Sequence, residues 1–311
     1  MAIQLFEKKQ LLLKIESVYG TDPTPTGAAN SMLTMEGSIK LLADKLDRKL
    51  DRDWFGADPF VLVGKRAEVE FEIDLLGHAT PGTAAPCAPI LRSCGMGETL
   101  VPATSATYKP VSGSFASATI WFYHAGLLYK IVGARGTVSL DLTIKQWPKA
   151  KIRYVGLIAA SQPTEASPSG VVLTSFQTPL AVETETFSLT VGGTALNATA
   201  FMLDQSNELQ MYEGSEAREV SIKERMPNGT FTIFQEVLAT FNPWTNANAH
   251  TLNDIAVVFN GGAGKIVTIN VDRAQFEYPE LTDIDGAAGW AIKYNGQPSS
   301  SGNDEFEIVF T

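Results

Sequence analysis

Few of the 311 residues are suited to bond-making chemistry, and those few are badly spaced for it. His78, His124 and His250 lie in distant segments, and Cys87 and Cys94 are the only cysteines. A structural or catalytic metal needs three or four such ligands at one point, so this set offers little, and no metal or cofactor is expected. Seven residues apart across a helical stretch, the two thiols would lie ~10 Å apart at 1.5 Å rise per residue. That is too far for a disulfide, and they read as packed side chains. Gly261-Gly262-Ala263-Gly264-Lys265 approaches a phosphate-binding loop, but Phe259 stands where the pattern needs Gly and Ile266 where it needs Ser or Thr. It reads as a hairpin turn. Asp283-Ile284-Asp285-Gly286 lacks the third oxygen ligand and the distal Glu of a calcium loop, and reads as a solvated turn. There is no Gly-x-Ser-x-Gly. Scattered carboxylates keep a two-carboxylate hydrolase open as a minor alternative. The reading favoured is a protein without catalysis.

One cluster of charge stands out. Between residues 65 and 76, Val69, Phe71, Ile73 and Leu75 alternate with Glu68, Glu70, Glu72 and Asp74. Period-2 alternation marks a half-buried strand, and the four carboxylates would line one face ~6.6 Å apart at 3.3 Å rise per residue. Like charges so spaced repel. Either this is an ordinary solvated face, or it is an acidic wall facing something it must not hold. The corresponding positions later in the chain, Thr230, Thr232, Phe234 and Glu236, are mostly uncharged.

The elements that would position this strand read as two sets by sequence self-similarity. LTMEGS at 33–38 is echoed by LTVGGT at 189–194, Leu46-Asp47-Arg48 by Leu203-Asp204-Gln205, and Trp54-Phe55-Gly56 by Tyr212-Glu213-Gly214. Lys130-Ile131-Val132 is echoed by Lys265-Ile266-Val267. Residues 39–53 carry Leu42, Leu46 and Leu50 at helical spacing, but their β-branched counterpart favours strand. Residues 118–160 read as antiparallel strands turning at Ala125-Gly126 and bending at Gly133–Gly136. Asn228-Gly229 is a hairpin signal, and Asn295-Gly296 reads as another turn. Short helices are expected at Ala88–Cys94 and in PWTNANAH. The first thirty residues read as polar and irregular, with an arm around Thr21–Gly27 that its prolines keep out of helix and central strand. Residues 77–117 read as a long interaction loop. A Pro/Ser/Gly-rich linker at 161–172 divides the chain into units 1–161 and 162–311.

Composition bounds the rest. The chain is long enough for two cores of about 150 residues each, and 44% hydrophobic with 19% charged residues is ordinary for a globular protein. No apolar run approaches the ~20 residues of a membrane span, and the start of the chain is not a secretory signal, so synthesis in a cytoplasm is expected. The net charge of −10 argues against tight nucleic-acid binding, which rests on basic contacts to phosphate. It does not argue against DNA passing without sticking.

KIESVYGTDPTPTGAANSML, the strand AEVEFEIDLLG with its loop PGTAAPCAPILRSCGM, and the series YHAGLLYKIVGARGTVSLDLTIKQWPKAKIRYVGLIAA resemble the major tail tube proteins of long, non-contractile bacteriophage tails. The closing segments RMPNGTFTI to GNDEFEIVF are similar to the same family. The resemblance implies an all-β fold with short helices: two related β-sandwich or barrel-like units in tandem, lending strands to a large inner β-barrel ring. It implies a structural virion protein, made in the bacterial host cytoplasm, whose stacked rings form the tail through which DNA is ejected. Partners would be other copies, tail proteins at the tube ends, a tape measure protein in the lumen, and DNA in non-specific transit, with no membrane. Glu68, Glu70, Glu72 and Asp74 become lumen-facing candidates. Tyr19, Asp22, Pro23, Pro25, Pro81, Pro86, Tyr108 and Pro110 become ring-stacking candidates. A duplicated chain suggests trimeric rings with pseudo-sixfold symmetry; the alternative is a hexamer with one half decorating the exterior. A β-rich receptor- or carbohydrate-binding tail component is the alternative function, though its tryptophans are scattered one to an element.

Overall fold

The computed structural model describes residues 5–159, 163–262 and 264–311. With 53% strand and 5% helix the fold is all-β. The first half runs β1 (Lys9–Ile15), α1 (Gly27–Asn30), β2 (Ser31–Met32), β3 (Met35–Asp47), β4 (Phe60–Asp74), α2 (Ala88–Ser93), β5 (Met96–Val101), β6 (Ser105–Pro110), β7 (Ala118–His124), β8 (Leu127–Thr143) and β9 (Lys149–Ile158). The second runs β10 (Thr164–Glu165), β11 (Phe187–Val191), β12 (Thr194–Leu196), β13 (Ala198–Asp204), β14 (Asn207–Glu213), β15 (Arg218–Arg225), β16 (Asn228–Phe234), α3 (Pro243–Asn248), β17 (Leu252–Asn260), β18 (Ile266–Phe276), β19 (Glu280–Ile284), β20 (Ala287–Gly296) and β21 (Glu307–Phe310). The expected boundary at 161–162 lies outside the described residues, as does Ala263 of the glycine-rich turn.

Two runs of antiparallel pairing share one order. In the first half it is β1-β7-β8-β9-β4-β3. In the second it is β11-β17-β18-β20-β16-β13. The halves join where β13 pairs with the C-terminal part of β8, from Thr143↔Ala200 to Ser139↔Asp204. With β19 added to β20, a continuous eight-stranded stretch results: β3-β4-β9-β8-β13-β16-β20-β19.

One face of that stretch is core. Val69, Phe71 and Ile73 of β4, Ile152 and Tyr154 of β9, Leu140 of β8, Phe201 and Leu203 of β13, Phe231 of β16, and Trp290, Ile292 and Tyr294 of β20 are buried. They share one contiguous cluster with Leu11 and Leu13 of β1, Ile120 of β7, Ile90 and Leu91 of α2, Leu189 of β11 and Val257 of β17. The sheet therefore buries one face against the other strands and α2, and leaves the other accessible, as period-2 alternation requires.

Several expectations are corrected. The first thirty residues include β1, whose Leu11–Leu13 is buried on both faces and so shows no alternation. Residues 77–117 are not one long loop: α2, β5 and β6 occupy much of the segment. Asn228-Gly229 begins β16 and makes no hairpin turn. Glycine is needed there because a Cβ would meet the Tyr294 hydroxyl at 2.4 Å and the Met202 carbonyl oxygen at 2.1 Å. Asn295-Gly296 closes β20. The strand reading of residues 39–53, by contrast, holds through Asp47 of β3.

Candidate functional site

The accessible face of the eight-stranded stretch carries a ladder of paired charge. Glu68, Glu70, Glu72 and Asp74 project from β4 between buried neighbours. β9 lies alongside, setting Glu70 opposite Arg153, Glu72 opposite Lys151 and Asp74 opposite Lys149. Its three cations share the period and the face because Ala150 and Ile152 between them, and Tyr154 after them, are buried. Lys149 Nζ donates to Glu72 Oε2 at 2.9 Å. Arg153 bonds Glu68 and lies 3.9 Å from Glu70, while Lys151 stands 4.0 Å from Asp141 on β8. The four carboxylates thus form a ladder with a neighbouring cationic row, not a bare acidic wall. Opposite charges on adjacent strands favour the pairing that like charges would oppose.

Titration reflects this geometry. Partial burial raises the Asp74 carboxyl and the nearby Lys149 ammonium opposes that rise. The bond to Glu72 in turn holds Lys149 above its ordinary value.

Beyond β8 the face continues through Asp204 and Met202 on β13, Thr230 and Thr232 on β16, and Lys293 on β20. Lys293 bonds Glu280 of β19 at 2.6 Å. Among the described residues, β3 pairs only with β4 and β19 only with β20. Both lateral edges of the stretch are open. On β19, Leu281 is 77% exposed although it shares a face with the buried Trp290 opposite it.

The second feature is the long β3–β4 hairpin. Its outer half exposes Leu41, Leu46, Phe60, Val61, Leu62 and Val63, and its tip exposes Trp54 and Phe55, the latter fully. β14 and β15 form a shorter two-stranded hairpin in the equivalent place between β13 and β16. Exposed apolar surface on this scale marks a contact site.

The ring-stacking candidates fare differently. Tyr108 is fully buried, donates to Glu98 at 2.7 Å and meets the Phe310 ring edge-on. Pro25 and Pro110 are also buried. Side chains enclosed in their own chain cannot contact another, so these three are withdrawn. Tyr19 is half-buried: its hydroxyl donates to the Gly133 carbonyl at 3.2 Å and accepts from the Val220 amide at 2.6 Å. Arg135 lies over its ring and bonds Glu219 and the Val220 carbonyl at 2.6 Å each. Tyr19 therefore fastens the first half to β15. Asp22 accepts from the Trp121 indole at 3.2 Å. Pro23, Pro81 and Pro86 are half-buried.

Little here could perform covalent chemistry. Burial pushes both Cys87 and Cys94 up to about 12, leaving unreactive thiols. His78 accepts from the Thr80 amide and His124 meets the Phe6 carbonyl oxygen, each serving local structure. A cavity of about 700 Å³ beside Thr143, Asn197, Phe234 and Asp285 has no His or Cys in its lining. Among the described residues no helix is long and apolar enough to cross a membrane.

The row on β4 was legible as alternation. The missed residues are Lys149, Lys151 and Arg153, although KAKIR carries the same alternation in cations. Also missed were Leu281 and the hairpin apolars.

No curated protein matches the chain. A family model described as phage tail tube protein matches residues 7–305, nearly the whole length, and the chain belongs to that family.

Proposed function

We propose that this phage tail tube protein assembles as trimeric rings with pseudo-sixfold symmetry, stacked into the hollow tail through which DNA is ejected. Each chain supplies two tandem tube units, 1–161 and 162–311, and each unit supplies four strands to the wall. The carrying observation is that β13 extends the sheet of the first half through β8, so both halves lie in one eight-stranded stretch with two open edges. Three chains would give twenty-four strands. Barrels of 16–18 strands already leave an aqueous channel, so a wall of this size has room for a lumen. A hexamer with one half decorating the outside would need the second-half strands off that sheet.

The accessible face is the lumenal one in this reading. Its cations on β9 and β20 are already engaged by carboxylates. DNA affinity comes from free basic groups at phosphates, so a wall of satisfied pairs lets the polyanion pass. Tail proteins at the tube ends and a tape measure protein in the lumen complete the partners. The exposed β3–β4 hairpin takes over the ring-to-ring contacts from the withdrawn buried residues, because it offers apolar surface with nothing of its own chain over it. Electron microscopy of the purified protein tests the reading. Hollow tubes or rings are expected, and a protein that stays monomeric at high concentration contradicts it.

A further inference from the structure

The two open edges have an internal template, and using it rests on the tube reading. β9 and β20 carry the same short run, Ile152-Arg153-Tyr154-Val155-Gly156 and Ile292-Lys293-Tyr294-Asn295-Gly296. The run is in the same setting each time. Phe71 of β4 lies opposite Ile152, and Phe231 of β16 lies opposite Ile292. Tyr154 stacks against Phe71 with centroids 6.0 Å apart, and Tyr294 lies 6.2 Å from Phe231.

Anchored there, the other strands align residue by residue. Opposite Ala150 is Leu140, and opposite its counterpart Trp290 is Leu281. Opposite Lys151 is Ser139, and opposite its counterpart Ala291 is Glu280. β19 therefore occupies the place of the C-terminal part of β8. On the other side, Ile39 lies opposite Val69 as Leu203 lies opposite Gly229, and Lys40 lies opposite Glu68 as Asp204 lies opposite Asn228. β3 therefore occupies the place of β13.

Within the chain, β13 closes on β8 with Leu203 opposite Leu140 and Asp204 opposite Ser139. We infer that β19 of one copy pairs antiparallel with β3 of the next in that same register. Leu281 then faces Ile39 and Glu280 faces Lys40 of the neighbouring copy. Three observations support the occupant and the register. Leu140 is 1% exposed under β13, whereas its counterpart Leu281 is bare. Glu280 and Lys40 are opposite in charge, and Lys40 makes no ion pair among the described residues. A slip of two residues sets Glu280 against Leu42 or Ser38, and a slip of one turns Leu281 to the wrong face. The contact is head-to-tail, so it can close a ring and leaves no strand edge exposed in the wall.

Cysteine pairs read the register directly. Ser38 and Thr282 would lie opposite each other on the accessible face, where facing Cβ atoms sit ~4.5–5.5 Å apart. Oxidised rings carrying Ser38→Cys and Thr282→Cys should run as covalent trimers under denaturing conditions, while the slipped pair Lys40→Cys with Thr282→Cys should stay monomeric. The native thiols are buried and add no background. Separately, Glu280→Lys should raise the concentration needed for assembly by about tenfold, from an ion pair turned into a repulsion. Adding Lys40→Glu should restore assembly. Tubes that form normally but cross-link only through the slipped pair, or through neither, overturn the register and leave the tube reading standing. A Glu280→Lys protein that assembles like the parent, with no gain from Lys40→Glu, overturns it as well. Failure of the unmodified chain to form rings counts against the tube reading instead.

Discussion

At the scale of single residues, the charge ladder between β4 and β9 turns a repulsive row into a matched one. Each exposed pair stabilises the fold by no more than about 1 kcal/mol, so in the proposed tube its larger effect is on what the face presents to a passing polyanion. Replacing Glu68, Glu70 and Glu72 by Gln and Asp74 by Asn would leave Lys149 and Arg153 unmatched, with Lys151 still beside Asp141. Virions carrying that wall should eject DNA more slowly, with the delay shrinking as salt rises; ejection at the parental rate at every salt concentration would refute the role. A second prediction concerns Glu307 on β21. Partial burial pushes its carboxyl up, but hydrogen bonds from Lys109 and Asn270 outweigh that and hold it below its ordinary value. Its contribution is therefore present above the unfolded value of about 4.3 and is lost as pH falls through the lower folded value. Lys109 is half exposed, so the effect is at most about 1 kcal/mol. Melting curves should show Glu307→Gln less stable than the parent at pH 7 and equal to it near pH 3. A constant gap across that range would contradict the assignment. Of this scale, the sequence showed the carboxylates but not their partners, because Glu72 and Lys149 are brought together by strand pairing and not by local pattern.

At the scale of elements, alternation made β4, β8 and β9 legible, and turn residues made the β7–β8 hairpin legible through Ala125 and Gly126, both at positive φ. Patterning failed where tertiary contact overrides it. Asn228-Gly229 has the composition of a tight turn, yet the glycine serves the close approach of Tyr294. At Leu42, Leu46 and Leu50 the helical spacing misleads, but the β-branched counterpart pointed to strand, and Leu42 and Leu46 lie on one opposite Arg66 and Val61. The hairpin that these strands build stands apart from the core, so its tip can be changed without unfolding the sheet. Replacing residues 49–57 by a short Gly/Ser turn should leave rings that fail to stack, seen as isolated rings in negative stain and by sedimentation. Full-length tubes from that variant would remove the hairpin from the ring-to-ring contact.

At the scale of the whole molecule, the recurring strand order carries the account further than any residue cluster does. The self-similarity in sequence pointed to two units, but its clearest trace, Ile-Arg-Tyr-Val-Gly against Ile-Lys-Tyr-Asn-Gly, was legible only once β9 and β20 could be laid over each other. Loops of different length had shifted the offset between the halves, and β8 corresponds to two strands, β18 and β19, in the second. The join between β8 and β13 puts both halves in one sheet, so in the proposed tube the number of chains in a ring follows from the number of strands each contributes. An averaged electron-microscopy map of the assembled tube tests this most directly. Threefold rings with pseudo-sixfold walls of twenty-four strands are the expected result. True sixfold symmetry, with one chain per sector and the second half outside the wall, would contradict it.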